Sequence, residues 1–166
     1  MPRSEQGVSN DRYCVIPRVL IFIFRDEDVL LLKGSPHKRI WPNLYNGIGG
    51  HIEPGEDVLS AARRELQEEA GVQADPLALC GTIMVDAGGS KGIAIYVFRG
   101  DYQGGQIVAS GEGKLEWIPM KAIHEFALVE DLPVILPKVK QCSSPGGYFS
   151  ARYFYNEEEE LKIEFG

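Results

Sequence analysis

The hydrophobic positions of the chain fall into short runs separated by turn-forming residues. The segment 15–24 is rich in β-branched and aromatic residues, and the polar segment 25–28 separates it from a second apolar run at 29–33. This arrangement predicts a β-hairpin. Further strands are predicted at 77–86, 92–100 and 114–119, and a closing hairpin is predicted from 148–155 and 160–165.

A different period, close to that of an α-helix, occupies the segment 57–70. One stripe of the helical surface, about 120° wide, is formed by the apolar residues Val58, Leu59, Ala62, Leu66 and Ala70. Asp57 is placed to cap the N-terminus of this helix, and Gly71 is placed to end it. The sequence therefore predicts a helix whose apolar stripe faces the core.

A second helix is predicted to begin near Asp131. Pro133 suits the first helical turn, and apolar residues follow it at 134–136 and at 139. Pro137 lies inside this segment, where its ring and missing N–H are expected to kink or break the helix. Because hairpins dominate and helices do not alternate regularly with strands, the pattern favours an α+β sandwich over a doubly wound parallel sheet.

Length and charge restrict the domain organisation and the partners. We expect the 166 residues to form one domain, 1–166, with a polar and flexible segment at 1–12. The net charge of −7 argues against a broad grip on DNA or RNA phosphates, so no nucleic-acid polymer is expected. No apolar run is long enough to span a bilayer, and the start lacks a signal-peptide core. The prediction is a cytoplasmic protein without a membrane partner, either a monomer or a homodimer.

The three cysteines, Cys14, Cys80 and Cys142, are far apart in sequence. They form no C-x-x-C pair and no spacing typical of a zinc site. We therefore expect three buried thiols in a reducing compartment.

Three glutamates crowd one side of the first predicted helix. Glu65, Glu68 and Glu69 stand at positions i, i+3 and i+4, where like charges repel one another. Arg64 is the only basic residue four positions from any of them, and it precedes Glu68 in the less favourable order. A divalent cation would remove the repulsion, and Mg²⁺ or Mn²⁺ prefer carboxylate and carbonyl oxygens. A metal site is therefore favoured over a solvated acidic face.

Two features near this helix strengthen the metal interpretation. The glycine-rich segment 47–50 lets the backbone approach a ligand or expose a carbonyl, although most such segments are only turns. Glu56 and Arg64 can pair across the start of the helix and hold the preceding loop against it.

A longer motif contains all of these residues. From Gly50 the chain continues with five residues, Glu56, seven residues and then RELQEEAGV at 64–72. This matches, at every constrained position, the Nudix box G-x5-E-x7-R-E-U-x-E-E-x-G-U, in which U is aliphatic. The chain thus resembles the Nudix hydrolases, especially their MutT-like members. The resemblance implies an α/β/α sandwich with a mixed sheet, hydrolysis of nucleoside diphosphate derivatives, and a Mg²⁺ (or Mn²⁺) cofactor.

The resemblance also implies roles for the residues of the box. Glu65, Glu68 and Glu69 match the metal ligands of the family, and Glu65 is also the candidate general base. Arg64 and Glu56 match the pair that orients this machinery.

Two further metal ligands are implied outside the box glutamates. The carbonyl of Gly49 matches a backbone ligand of related enzymes. Glu112 is expected to complete the site, because it precedes a Glu-Trp pair as the accessory glutamate of MutT-like members does. Glu116 is the alternative to Glu112.

The resemblance implies the substrate-binding residues less directly. Asn46 matches an asparagine that contacts the base, or it is only part of an Asn-Gly turn. Glu130 and Asp131 resemble an acidic pair that contacts the purine edge, although Asp131 could equally be an N-cap. Lys33, at the end of a predicted strand, is a candidate phosphate ligand.

The implied activity is that of a nucleoside triphosphate pyrophosphohydrolase, with an oxidised purine nucleotide such as 8-oxo-dGTP as a candidate substrate. Leu128 and Leu132 stand where related proteins have a tryptophan, which leaves stacking on the base open. The alternatives are hydrolysis of another derivative such as ADP-ribose, an isomerase of isopentenyl diphosphate type, and a non-catalytic nucleotide sensor. The segment 34–50 lacks the cysteine that such an isomerase needs, and sensors usually lose box glutamates that are retained here.

Overall fold

One mixed β-sheet with a helix on each face forms the protein in the computed structural model, which describes residues 2, 5–9, 11–108, 111–142 and 147–166. The strands in these described residues are β1 (Cys14–Arg25), β2 (Asp28–Gly34), β3 (Tyr45–Asn46), β4 (Val72–Asp86), β5 (Lys91–Gly105), β6 (Gly113–Pro119), β7 (Phe149–Tyr155) and β8 (Leu161–Phe165). The helices are α1 (Val58–Ala70) and α2 (Leu132–Gln141), and a 3₁₀ helix spans Met120–Glu125.

The sheet contains both parallel and antiparallel pairs. Its order is β3-β2-β1-β5-β4-β7-β8, and β6 pairs with β2. Both predicted hairpins, β1 with β2 and β7 with β8, are antiparallel. In contrast, β1 is parallel to β5, and β4 is parallel to β7. The predicted α+β fold with a mixed sheet is confirmed.

Alternation along the strands divides the core into two clusters. In β1, Phe22 and Phe24 join the cluster that contains α2, whereas Val19, Ile21 and Ile23 join the cluster that contains α1. Successive side chains of a strand point to opposite faces of the sheet. The two helices therefore cover opposite faces, as the α/β/α sandwich requires.

The first helix has the boundaries and the buried stripe that its sequence predicts. The side chain of Asp57 accepts hydrogen bonds from the backbone N–H groups of Leu59 and Ser60 at 2.9 and 3.0 Å. Gly71 ends the helix in a left-handed conformation with φ of 65°, which glycine adopts without steric cost. The side chains that α1 buries in the core include Ala61, Ala62, Leu66 and Ala70.

Of the two outcomes expected at Pro137, a kink or a break, the break is wrong, because α2 continues through this residue. A proline at this position removes only the hydrogen bond that would reach the carbonyl of Pro133. Buried side chains on both sides of Pro137 hold the helix against the sheet, namely Leu132, Ile135, Leu136 and Val139.

The prediction of three buried thiols is also wrong. Cys80 in β4 and Cys142 after α2 form a disulfide, and the side chain of Cys14 is exposed. The bonded pair is 62 residues apart in sequence, and which cysteines approach one another depends on the packing of α2 against the sheet. Sequence spacing alone contains no such information.

Two strands are longer than predicted. β4 begins at Val72 rather than at 77, and β5 continues to Gly105 rather than ending at 100. These extensions pair mainly with each other, so cross-strand hydrogen bonds maintain them without an apolar pattern. The predicted flexible segment 1–12 includes residues 1, 3, 4 and 10, which lie outside the described residues. In the described part of the chain, no helix is long and apolar enough to cross a membrane.

Candidate active site

The glycine-rich loop before α1 lies directly between β1 and α1. The N–H of Val19 donates to the carbonyl of Gly50 at 2.9 Å. A Cβ atom on Gly49 would collide with the carbonyl of Val19, and one on Gly50 would collide with the carboxylate of Glu65. Glycine at these two positions is therefore what allows the loop to touch both elements.

Arg64 is the centre of a hydrogen-bond network that joins this loop to α1. Its Nε and Nη2 donate to the two carboxylate oxygens of Glu56 at 2.7 and 2.9 Å. Its Nη1 donates to Glu65 Oε1 at 2.8 Å and to Glu68 Oε2 at 3.2 Å, and Nη2 also donates to the carbonyl of His51 at 3.0 Å. The predicted pairing of Glu56 with Arg64 is confirmed. Arg64 also offsets part of the repulsion between the helix glutamates, because it binds Glu65 and Glu68 together. The unfavourable Arg-before-Glu order did not predict this.

The network keeps Glu56 and Arg64 charged. Hydrogen bonds from the Arg64 guanidinium and from the backbone N–H of Glu53 lower the pKa of Glu56 to about 2. The same pairing with Glu56 raises the pKa of Arg64 above its ordinary value. The pair therefore acts as a fixed clamp between the loop and the helix across the physiological pH range.

Glu69 has a contrasting environment. Its Oε2 accepts a hydrogen bond from the N–H of Gly49 at 3.1 Å. Burial, together with the nearby charges of Glu65 and Glu112, raises the pKa of Glu69 to about 7 against the opposing effect of this hydrogen bond. A half-buried carboxylate that faces two others favours the approach of a cation.

The three glutamates of α1 are not equivalent. Glu65 is only 9% exposed, whereas the side chain of Glu68 is 61% exposed. Among the described residues, no group of three or more His, Cys, Asp or Glu side chains is arranged to share a cation. Arg64 draws Glu65 and Glu68 toward itself, while Glu69 faces Gly49. The donor set nevertheless fits a hard divalent cation, because the side-chain donors are carboxylate oxygens. The charge of Lys38 offsets only part of the effect of burial and of Glu65 and Glu112 on Glu69.

A cleft of about 650 Å³ connects Glu65 and Glu69, but not Glu68, with residues from distant parts of the chain. One wall, which we call the carboxylate wall, comes from the loop and α1 and includes Gly49, Gly50, Glu65 and Glu69. The other, which we call the composite wall, comes from β1, the loop 34–44, β3, β5 and the start of α2. It includes Arg18, Leu20, Trp41, Asn46, Ile95 and Asp131. The cleft therefore joins residues of the motif to residues that only the fold brings together.

Asp131 lies in the composite wall. Its side chain accepts a hydrogen bond from the hydroxyl of Tyr153 at 3.1 Å and forms no capping hydrogen bond with α2. Burial raises the pKa of Asp131. The N-cap alternative is therefore wrong for the side chain, which the structure places beside the cleft.

Asn46 keeps both of its interpretations. Its Oδ1 accepts a hydrogen bond from the N–H of Gly47 at 2.7 Å, as in a local turn, and the residue also lines the cleft.

The two alternatives for the accessory glutamate have different locations. Glu112 lines the cleft and pairs with Lys38 Nζ at 2.7 Å. Glu116 accepts a hydrogen bond from the hydroxyl of Tyr45 at 3.0 Å and pairs with Lys114. Because Glu112 lines the cleft together with Glu65 and Glu69, whereas Glu116 does not, the geometry favours Glu112.

Two predicted substrate ligands are not brought to the cleft wall. The Nζ of Lys33 lies 5.4 Å from the centroid of the Tyr45 ring, and Lys33 is absent from the residues that line the cleft. Glu130 is exposed beside Asp131 and does not line the cleft either.

Some cleft residues were missed by the sequence reasoning. Trp41 and Ile40 are 47% and 55% exposed and line the cleft. Large apolar residues directly before a Pro-Asn pair, in a segment typical of a loop, are the sequence signal that could have identified them. Arg18 also lines the cleft, and its position within an apolar strand is a similar signal.

Comparison with known proteins places this site in one family. A NUDIX domain model matches residues 16–139. The chain is 30% identical over 128 residues to the oxidized purine nucleoside triphosphate hydrolase of Mus musculus. The aligned region covers 74% of this chain and 81% of that protein. It is also 30% identical to the NAD-capped RNA hydrolase NudC of Photobacterium profundum, over 80% of this chain and 46% of that protein.

A solved structure shows the same fold. The MutT protein of Bacillus halodurans superposes with a TM-score of 0.74, with 22% sequence identity, and covers 90% of this chain and 97% of that one.

Proposed function

Since the chain belongs to the Nudix family and is a hydrolase of phosphoric anhydride bonds, we propose that it cleaves a nucleoside triphosphate to the monophosphate and pyrophosphate. The observation that carries the proposal is that one cleft is lined both by Glu65 and Glu69 of the motif and by Asn46 and Asp131. The relative that acts on oxidised purine nucleoside triphosphates supports an oxidised purine nucleotide such as 8-oxo-dGTP as the substrate.

The carboxylates of the cleft are proposed to hold the divalent cation, Mg²⁺ or Mn²⁺. Glu65, Glu69 and Glu112 would supply carboxylate oxygens from the cleft, and Gly49 lines the same cleft. Glu68 is outside the lining and is linked to Glu65 through Arg64, so it would reach the cation only after leaving that pair. When bound, the cation supplies charge neutralisation at the phosphates and lowers the pKa of a coordinated water. Its charge also allows a protein with net charge −7 to accept a polyanion.

The chain's own residues would orient the reaction. Arg64 and Glu56 fix the loop against α1, so that Glu65 and Gly49 keep a constant relative position. Glu65 is the proposed general base, because it is the box carboxylate buried most deeply in the wall of the cleft.

The composite wall would select the nucleoside. Asp131 and Asn46 both line the cleft and carry polar side chains that can form hydrogen bonds with the edge of a base. Trp41 offers an exposed aromatic face on which a base can stack. This tryptophan belongs to a different segment from Leu128 and Leu132, which occupy the place of the tryptophan of related proteins.

A panel assay tests the proposal. The protein is incubated with Mg²⁺ or Mn²⁺ and with nucleoside triphosphates that include 8-oxo-dGTP, dGTP and dTTP, and the products are separated and quantified. Metal-dependent release of pyrophosphate and a monophosphate is expected. Including ADP-ribose and NAD⁺ tests the second candidate, a dinucleotide or nucleoside diphosphate substrate, which the similarity to NAD-capped RNA hydrolases favours. Binding of a nucleotide without turnover of any compound would contradict the proposed hydrolase function and would indicate a sensor.

A further inference from the structure

Arg18 and Arg39 line the cleft, Arg64 binds the carboxylates of its wall from behind, and the surroundings of Arg18 and Arg64 differ. Arg64 donates hydrogen bonds from all three of its nitrogens, to Glu56, Glu65, Glu68 and the carbonyl of His51. Arg18, on β1, lines the cleft itself. Its Nε is buried and has no hydrogen-bond partner in the part of the chain that the structure describes. The Arg64 guanidinium is therefore used within the protein, whereas Arg18 presents a buried Nε donor that no group of the described residues satisfies.

A buried donor without a partner is uncommon in native proteins, because removal from water without a compensating hydrogen bond is unfavourable. Such a group in the wall of a cleft is explained if a ligand supplies the acceptor. A guanidinium presents its N–H groups in a planar fork, which matches the oxygens of a phosphate group.

The position of Arg18 brings it close to the carboxylate wall. Its backbone forms a β-bridge with His51, and the next residue, Val19, donates its N–H to Gly50. On the other side of β1, Arg18 pairs with Ile95 of β5, a residue of the composite wall. Arg18 therefore lies where the two walls meet, between the proposed cation site and the proposed nucleoside pocket.

The other charges of the cleft strengthen this assignment. Lys38, which also lines the cleft, is paired with Glu112 at 2.7 Å. The negative charge of Glu65, Glu69 and Glu112 would repel any phosphate that a bound cation does not neutralise. We infer that Arg18 binds a phosphate oxygen of the nucleotide at the junction of the two walls. This inference rests on the proposed function, because it assigns one contact of that substrate.

Arg99 provides a matched control. Its Nε is likewise buried without a partner in the described residues. Its Nη2 donates to Asp101 at 2.8 Å, and its guanidinium lies 5.2 Å from the centroid of the Phe24 ring. Arg99 does not line the cleft. If loss of any half-buried arginine weakens ligand binding, substitution of Arg18 and substitution of Arg99 should both weaken it. If Arg18 contacts the ligand, only the substitution of Arg18 should weaken binding.

The test measures the affinity of inorganic tripolyphosphate in the presence of Mg²⁺ by calorimetry, for the unmodified protein, Arg18→Gln, Arg18→Lys and Arg99→Gln. Arg18→Gln is expected to weaken binding about tenfold or more, since a hydrogen bond between charged groups is lost. Arg18→Lys should bind with intermediate affinity, because it keeps the charge but not the fork. Arg99→Gln should remain within about twofold of the unmodified protein.

Tripolyphosphate has no base and requires no turnover, so the result is independent of the proposed reaction. Equal affinity in Arg18→Gln and the unmodified protein, or no binding by the unmodified protein, would overturn the assignment. If Arg18→Gln does not fold, as judged by thermal unfolding, the affinities of Arg18→Lys and Arg99→Gln for tripolyphosphate are compared instead. Equal affinities of these two variants would then overturn the assignment. The proposed function fails separately, if the unmodified protein hydrolyses no compound of the panel.

Discussion

The two walls of the cleft are built in different ways. The carboxylate wall comes from adjacent parts of the chain, where Arg64 and Glu56 clamp the glycine-rich loop onto α1. The composite wall collects Arg18, Trp41, Asn46, Ile95 and Asp131 from separate elements. The first is fixed by short-range contacts, and the second exists only when β1, β5 and α2 have packed. This difference indicates that the chemistry and the choice of substrate are encoded separately, so that substitutions in one wall should leave the function of the other largely unchanged.

The largest expected effect comes from the carboxylate wall. Glu65→Gln removes the proposed general base and one ligand charge, so kcat should fall by about 10²–10⁴-fold. Steady-state kinetics with the best substrate of the panel and thermal unfolding of the variant provide the measurement. Glu158→Gln, in the exposed turn before β8, is the control and should leave kcat unchanged. A folded Glu65→Gln variant with nearly unmodified kcat would contradict the role given to this wall.

Loss of the clamp should have the next largest effect. Arg64→Gln leaves the carboxylates in place but frees the loop, so activity or cation affinity should fall by about 10–100-fold, as for other residues that orient metal ligands. The measurement is the rate as a function of Mg²⁺ concentration. Arg63→Gln, an exposed neighbour on the same helix, serves as the control. If the two variants show the same Mg²⁺ dependence, Arg64 does not orient the site.

A smaller and different effect is expected from the composite wall. Trp41→Ala removes the exposed aromatic face, and KM should rise about tenfold while kcat changes little, since stacking of a base on an aromatic ring contributes about 1–3 kcal/mol. Tyr155→Ala is the control, because it removes a similarly exposed aromatic ring on β7, outside the cleft. A change in kcat rather than in KM would show that Trp41 acts on the chemistry and not on substrate binding.

The smallest effect concerns stability in the absence of a divalent cation. The pKa of Glu69 is about 7 in the folded protein and near 4.5 without the fold. The folded state therefore favours the protonated carboxyl, and this contribution to stability is complete below about pH 4.5 and is lost as the pH rises through about 7. The Tm should fall over this interval in the unmodified protein and fall less in Glu69→Gln. Glu68→Gln, whose side chain is exposed, is the control. An unchanged pH dependence in Glu69→Gln would exclude this explanation.

The two walls also differ in how far the sequence predicts them. The motif at 50–72 specifies α1, its caps and the Glu56–Arg64 pair, because all of these depend on contacts between residues close in sequence. Only Asn46 and Asp131 of the composite wall were predicted, and both came from the resemblance to a family. Arg18 and Ile95 become neighbours through the parallel pairing of β1 with β5, which no local pattern specifies.

The same limit explains the errors. The Cys80–Cys142 disulfide depends on how α2 packs against β4, and the continuation of α2 through Pro137 depends on buried neighbours that tertiary structure supplies. The roles of Lys33 and Glu130 as substrate ligands stay predictions. Neither residue lines the cleft, and their positions depend on the register of β2 with β3 and on the turn before α2.

The most direct test of separate encoding is the ratio of kcat/KM for 8-oxo-dGTP to kcat/KM for dGTP, measured in the unmodified protein, Glu65→Gln and Asp131→Asn. We predict that Glu65→Gln lowers both values by the same factor, so that the ratio stays within about twofold. Asp131→Asn should change the ratio by about 5-fold or more, the effect of one altered hydrogen bond to a substrate. A ratio that changes in Glu65→Gln, or that stays constant in Asp131→Asn, would contradict the division of the cleft into a catalytic wall and a selecting wall.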